Sequence, residues 1–522
     1  MGLWSAYFLA KLLLYAAGYL GFSPWLNLGL AVFTALPPAN AHQRLAKNLI
    51  AVPLGILLLY HDSPLPPLPQ ALTDAENLSA FSGSYLWELA GRVISWRPLV
   101  GAAVMLALYG LARRKLRMST FVFVGILAVI VVPPGRFRAI AAPRMATVAA
   151  TDATSEDVDL EPAALNARLS HFYAEQNTLR VHFAHPAAND PPFDILILHV
   201  CSLSWDDFKA LKVAPDQLFG HFDLVLTDFN SGASYSGPAA IRLLRGSCGQ
   251  TPEARLYDPA ADGCLVIDGL QNAGFEPHWA MNHDGHFGNF FGDVRERGGV
   301  TAPLEDASGA TAAQAAFDGT PVYDDYSVLS RWWTKRLTNR APRVVLYYNT
   351  ISLHDGNRVV GSGHPDSSYG ARLATFSEDI GRFLDLLRAS GRHVVVVLIA
   401  EHGANVGGDR RQIAGLREIP TAAIAHVPVA IALINATRAQ PSAPSRIDAP
   451  ASYPAVNEML SRFIADDPFA GPVASLDPYV SALPRADFVA ENNGTTVIQA
   501  GAHYMMRSPD GDWSSLDGIE TH

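Results

Sequence analysis

The sequence predicts two structural parts in series, an apolar helical bundle and then a layered α/β domain, and three observations carry that prediction. Hydrophobic residues make up 49% of the 522-residue chain and mean hydropathy is +0.12, high for a wholly soluble protein. The apolar excess is concentrated before about residue 140. Beyond about residue 190, short apolar runs alternate with helical patterns, which is the signature of strands and helices in turn.

The first part, expected over 1–139, holds five candidate membrane segments: Ser5–Phe22, Pro24–Pro38, Leu45–Tyr60, Leu99–Leu111 and Ser119–Pro133. A spanning helix needs roughly 20 apolar residues, and several of these are shorter. Lys11 interrupts the first segment and Pro53 the third, and neighbouring helices can accommodate the proline. The first segment lacks a basic leader and a clear cleavage site, so it reads as retained. Arg44 and Lys47 in one short loop, and Arg113, Arg114, Lys115 and Arg117 in another, place both loops in the cytoplasm. Five crossings then put everything after about Gly135 on the outer side. Within the outer loop, Tyr85–Trp96 has helical spacing with a Trp near each end, as an interfacial or a plain surface helix would. Residues 140–190, rich in Ala, Pro and acids, read as a linker broken by one helical pattern at Leu165–Gln176.

The α/β part, expected over 191–522, is built around Val394-Val-Val-Val-Leu-Ile-Ala-Glu401-His402-Gly403. An unbroken β-branched run suits a strand buried on both faces of a parallel sheet. Its end would deliver Glu401 and His402 to the carboxyl edge, where ligands collect in such sheets. Both are side chains that zinc accepts. Read alone, they also fit a solvated Glu and a His that caps a turn. Three more apolar runs end near reactive side chains: Asp194–Val200 before Cys201, Phe222–Thr227 before a loop with Ser234, Tyr235 and Ser236, and Arg343–Tyr348 before His354. Helical stretches at Ala239–Leu244, Cys264–Ala273 and Tyr369–Leu387 lie between them.

Only three cysteines occur, all in the portion assigned outside, where disulfides are permitted. Cys248 and Cys264 enclose a loop of turn residues, and a bridge there would contribute roughly 3 kcal/mol. Cys201 is then left over, as an inert buried thiol or as a metal ligand. In Asn230-Ser-Gly-Ala-Ser-Tyr-Ser236-Gly-Pro238, small residues permit close approach of a substrate. Pro238 favours the first turn of a helix, whose free N–H groups suit a phosphate. Such a loop is a nucleophile site or merely a loop. A net charge of −10 with pI about 5.9, and no basic track in the outer part, argue against nucleic acid as a partner.

The order of these parts resembles the alkaline phosphatase/sulfatase superfamily, and within it the membrane-anchored phosphoethanolamine transferases, most closely the BcsG-type cellulose-modifying branch. The likeness rests on Cys201–Asp207, Asn230–Arg245, Cys248-Gly-Gln250, Leu353–Asn357, Glu401–Gly403 and Gly415–Pro420, from about residue 190 to 515. It implies an α/β/α catalytic domain on a multi-pass anchor in a bacterial inner membrane, with that domain in the periplasm. It implies a zinc shell of Cys201, Ser236, Glu401 and His402, with Ser236 also the nucleophile, and a Cys248–Cys264 disulfide. Lipid-modifying relatives carry an acid in place of Cys201, Thr in place of Ser236 and Asp in place of Glu401, so the departures here argue against lipid A as the main acceptor. Tyr235, His354 and Arg417 correspond to residues around the phosphate, His354 as proton carrier and Arg417 as a cation. His283 and Asp324 are weaker candidates for the pocket. Trp205, Tyr235 and Trp332 are candidates either for stacking on sugar rings or for the core.

The implied reaction has two steps: Ser236 takes phosphoethanolamine from phosphatidylethanolamine, and a glucose hydroxyl of cellulose then displaces it, beside the cellulose synthase machinery. Transfer to lipid A or another glycan, hydrolysis, and a non-catalytic scaffold role are the alternatives. A formylglycine sulfatase is disfavoured, because Ala240 stands where Cys/Ser-x-Pro-x-Arg requires arginine.

Overall fold

The structure, a computed structural model, describes residues 2–16, 20–63, 83, 109–111, 116–131, 158–360, 368–409, 411–437 and 443–516. It divides into two compact units, Met1–Ala153 and Thr154–His522.

The first unit contains α1 (Trp4–Ala16), α2 (Pro24–Ala35), α3 (Ala41–His61) and α4 (Met118–Val131), one at each of four expected segments. Phe8, Leu30, Ala31, Leu58, Val122 and Ile126 form their shared core. Lys11 is accounted for by a buried ion pair with Asp62 at 2.7 Å, and Asp62 also accepts from Asn27 Nδ2 at 2.7 Å. Trp25, Leu49, Ile56, Val124 and Leu127 remain exposed. Among the described residues no helix is long and apolar enough to cross a membrane. α1, α2 and α4 have 13, 12 and 14 residues, and α3, with 21, carries His42, Gln43, Arg44 and Lys47 in its first two turns. Leu99–Leu111 lies outside the described residues except for 109–111, and Tyr85–Trp96 lies wholly outside them.

The second unit is organised by a seven-stranded sheet. Its strands are β1 (Phe193–Val200), β2 (Leu224–Asn230), β3 (Glu276–Met281), β4 (Val344–Thr350), β5 (His393–Ala400), β6 (His426–Ile434) and β7 (Ser445–Ile447), in the order β7-β2-β6-β5-β1-β4-β3. Only β6 runs antiparallel to its neighbours. Every residue of β1 and β4 is buried, so both faces of the sheet are covered, and the unbroken apolar runs follow from that. The helices used below are α5 (Pro162–Gln176), α6 (Trp205–Leu211), α7 (Ser236–Leu244), α8 (Asp325–Thr338) and α9 (Tyr369–Ala389). A four-stranded antiparallel sheet, β8 (Val489–Asn492), β9 (Thr495–Ala500), β10 (His503–Arg507) and β11 (Trp513–Ser515), closes the unit.

The described part of the expected linker, from residue 158, belongs to this second unit. α5 buries Leu165, Leu169 and Phe172 against Val489, Ile498 and Met505. Its apolar stripe therefore packs on the C-terminal sheet, 300 residues away in sequence by order of magnitude, as an amphipathic helix must do somewhere.

Candidate metal centre and nucleophile

β1 and β5 are adjacent and in register, with Val200 opposite Ala400, so Cys201 and Glu401 leave the sheet at the same level. Glu401 N–H donates to the Val200 carbonyl at 2.8 Å and Leu203 N–H to the His402 carbonyl at 2.6 Å. Gly403 follows because nothing larger fits: a Cβ there would lie 2.5 Å from Ser204 Oγ and 3.0 Å from the Ala423 carbonyl oxygen. At the end of β2, Asn230 Nδ2 donates to the Val489 carbonyl and its Oδ1 accepts from Gly232 N–H, both at 2.9 Å, which fixes the turn into α7. Tyr235 is extended, with φ −136°, and Ser236 is the first helical residue. Ser236 thus stands beside first-turn amides that have no partner within the helix.

These three strand ends bring the expected side chains together. Ser236 Oγ lies 3.3 Å from Cys201 Sγ and 3.4 Å from His402 Nε2, and Cys201 Sγ lies 3.8 Å from His402 Nε2. Ligand atoms of Cys201, Glu401 and His402 all fall within 4.8 Å of one another, and all three residues are buried. His402 Nδ1–H donates to the Gly403 carbonyl at 2.9 Å, which leaves the Nε2 lone pair directed at the cluster. Glu401 Oε2 is buried without a hydrogen-bond partner among the described residues, whereas Oε1 accepts from Asn349 Nδ2 at 2.5 Å. Burial pushes Glu401 up to about 7; burial and then the Glu401 charge push the Cys201 thiol up to about 12. Burial and then Arg417 hold His402 well down. One sulfur, one carboxylate oxygen and one imidazole nitrogen, buried and short of positive charge, are a donor set that fits a divalent cation.

The surrounding residues orient this set. Arg417 donates to Ser202 Oγ at 3.1 Å and lies over the Tyr235 ring, 5.1 Å from its centroid. Tyr235 donates to Glu418 Oε1 at 2.6 Å. Ser202 holds a left-handed backbone, φ 64°, and its Oγ is 3.3 Å from Cys201 Sγ, so it links Arg417 to the thiol. His354 Nδ1–H donates to the Asp355 carbonyl at 2.7 Å, and its ring packs on Phe317 at 5.0 Å. Burial and Arg417 push His354 down to about 4. Among the described residues it makes no hydrogen bond to Ser236.

Two weaker candidates take other positions. His283 does not reach the cluster itself; its Nδ1 accepts from Gly285 N–H, so Nε2–H donates to Asn349 Oδ1 at 2.8 Å, behind Glu401. Asp324 caps α8, accepting from Ser327 N–H at 2.7 Å, because a short acceptor is what a helix start needs. Trp332 is core, 3% exposed, and its Nε1–H donates to His278 Nδ1; Trp205 packs beside Phe208 and Phe219. Asn349, Ser202 and Glu418 escaped the sequence reading. Asn349 carried the usable signal, a polar residue closing an apolar strand as Cys201 and Glu401 follow theirs.

Family models for cellulose biosynthesis protein BcsG match along the chain, the N-terminal domain over residues 4–131 and the C-terminal domain over 148–513. The chain belongs to the BcsG family. It is 36% identical to the cellulose biosynthesis protein BcsG of Salmonella typhimurium over 534 aligned positions, covering 98% of this chain and 95% of that protein. The BcsG of Escherichia coli K12 is 35% identical with the same coverage. Among solved structures, an alkaline phosphatase superfamily protein from Vibrio parahaemolyticus superposes with TM-score 0.49 at 15% identity, covering 68% of this chain and 90% of that one. The Cys248–Cys264 disulfide is formed, and Cys201 is the free, buried cysteine.

Proposed function

We propose that this BcsG-family chain is a zinc-dependent phosphoethanolamine transferase that moves the group from phosphatidylethanolamine to glucose hydroxyls of cellulose through a covalent Ser236 ester. The observation that supports it is the convergence of Ser236 Oγ on Cys201 Sγ and His402 Nε2 at 3.3 and 3.4 Å, at the start of a helix. Cys201, Glu401 and His402 would hold zinc, which would lower the pKa of a neighbouring hydroxyl and offset charge on the transferred group.

In the first step Ser236 Oγ bonds to phosphorus, the bond to the diacylglycerol oxygen breaks, and the serine proton passes to that leaving oxygen. In the second, a glucose oxygen bonds to phosphorus, the bond to Ser236 Oγ breaks, and the glucose proton returns to the serine. His354 is the proposed proton carrier, since its Nδ1–H is committed to Asp355 and its Nε2 lone pair remains. Arg417, held by Ser202 and Tyr235, supplies a fixed guanidinium for phosphate oxygens. The N-terminal unit is proposed to cross a bacterial inner membrane five times, keep the second unit in the periplasm beside its donor lipid, and dock with the cellulose synthase machinery. The exposed apolar side chains of α2, α3 and α4 support lipid contact.

The test is mass spectrometry of the purified full chain after incubation with phosphatidylethanolamine and zinc. A phosphoethanolamine adduct on the Ser236 peptide is expected, lost in Ser236→Ala and discharged by cellulose oligomers. Absence of the adduct from zinc-loaded protein sinks the mechanism, and discharge to lipid A in place of glucans moves the acceptor. Topology is checked separately with reporter fusions after residue 140, where only a periplasm-active reporter should signal.

A further inference from the structure

Ser236 has neighbours of opposite charge. Arg417 reaches Ser202 and Tyr235, as described, whereas acids approach the next residue of α7. Gly237 carries no Cβ, and one placed there would lie 2.8 Å from Asp293 Oδ2 and 4.0 Å from Tyr257 Oη. A carboxylate and a phenol therefore rest against the main chain immediately beside the nucleophile. A cleft of about 700 Å³ opens at the same point, lined by Tyr235, Pro238, Glu253, Tyr257 and Glu491 among others.

The negative charge here is only partly matched within the protein: Glu253 Oε2 accepts from Gly494 N–H at 3.4 Å, and Arg507 also lines the cleft. Glu491 is paired with Arg242 at 3.2 Å and accepts from Glu253 N–H at 2.7 Å, so it is matched. The Asp293 carboxylate accepts no hydrogen bond from any of the described residues. Arg297, a cation close enough to act on it, donates to the Tyr257 carbonyl at 2.6 Å. Burial accordingly pushes Asp293 up to about 6, with Arg297 only partly opposing. Tyr173 lines the same cleft, and burial and then the Glu491 carboxylate push its phenol well up. A carboxylate that accepts no hydrogen bond among the described residues, with phenol rings beside it, is what a primary ammonium requires, as ion-pair and cation–π partners.

We propose that Asp293, Glu253 and Tyr257 form a subsite for the ammonium group of the donor headgroup while its phosphorus lies at Ser236. This rests on the transferase reading and sharpens it. A zwitterionic headgroup, with two carbons between phosphate and ammonium, spans a guanidinium and a carboxylate that flank one serine. A neutral headgroup such as glycerol would leave the half-buried Asp293 with no more than the partial counter-charge of Arg297 among the described residues, so the subsite selects ethanolamine by the penalty it imposes on other donors.

The full chain is tested with two soluble phosphodiester donors, 4-nitrophenyl phosphoethanolamine and its N-acetyl derivative, which lacks the ammonium charge, measuring the rate of Ser236 adduct formation from each. The wild type should prefer the ammonium donor by at least tenfold, and Asp293→Asn should reduce that ratio by about as much. The ratio does not depend on the folded fraction, and Glu253→Gln, expected to lower it in the same direction, serves if Asp293→Asn is lost to misfolding. Equal use of the two donors by the wild type, or an unchanged ratio in both variants, overturns the subsite and leaves the transferase standing. No adduct from either donor in the wild type overturns the transferase reading, and the subsite with it.

Discussion

At the residue scale, the proposed zinc site depends on groups that orient its candidate ligands and do not themselves join them. Asn349 sits between His283 and Glu401, accepting from one and donating to the other. Asn349→Ala should therefore weaken zinc affinity about 10- to 100-fold, the usual effect of losing a partner that orients a ligand, measured by competition with a chelator. Removing His402 by His402→Ala should abolish stoichiometric zinc, read by elemental analysis. Asp325 offers a pH test away from the ligands. Its carboxylate is buried and accepts from Tyr348 Oη at 2.7 Å, and burial pushes it up to about 6. A carboxyl raised on folding binds its proton more tightly in the native state, so its contribution is full below about pH 4 and declines as pH rises to 6. The shift corresponds to about 3 kcal/mol. Asp325→Asn should flatten the difference in urea-unfolding stability between pH 4 and pH 6.5 by an amount of that order.

At the scale of elements, strand ends and helix starts do the positioning. Asp207, in the first turn of α6, forms a capping box with Ser204 and also accepts from Ala404 N–H at 2.8 Å and Val406 N–H at 3.2 Å. One carboxylate thus ties the helix after Cys201 to the loop after His402. Asp207→Ala should leave several buried donors unmatched, cost on the order of 3 kcal/mol, and raise hydrogen exchange at residues 404–406 first. The apolar strands were legible because both-face burial writes an unbroken run into the sequence. α7 begins at Ser236, earlier than the helix expected at Ala239, because Pro238 tolerates any position in a first turn and so does not mark the start. α5 was legible as a helix but not as part of the second unit, since a stripe of apolar residues does not name its partner.

At the scale of the whole molecule, family membership extends over nearly the full chain, and the two family-model segments, 4–131 and 148–513, follow the division into two compact units near 153. The disulfide joins residues 16 apart, and loop closure of that size gives roughly 3 kcal/mol in the chain-entropy model. The double variant Cys248→Ser, Cys264→Ser should lose stability of that order in denaturant unfolding under oxidising conditions, with zinc content unchanged, because neither cysteine belongs to the candidate cation shell.

The sequence by itself determined which chemistry was present: apolar runs ending in Cys201, Glu401 and His402, and a small-residue loop bearing Ser236, are local patterns fixed by burial and turn formation. Only the tertiary structure decided what these side chains do to one another. Register between β1 and β5 set Cys201 beside Glu401, the bend after β2 brought Ser236 to them, and His283 and Asp324 were drawn to Asn349 and to a helix cap. Such relations depend on which strands are neighbours and where a distant carboxylate such as Asp293 comes to rest, and no spacing along the chain encodes that.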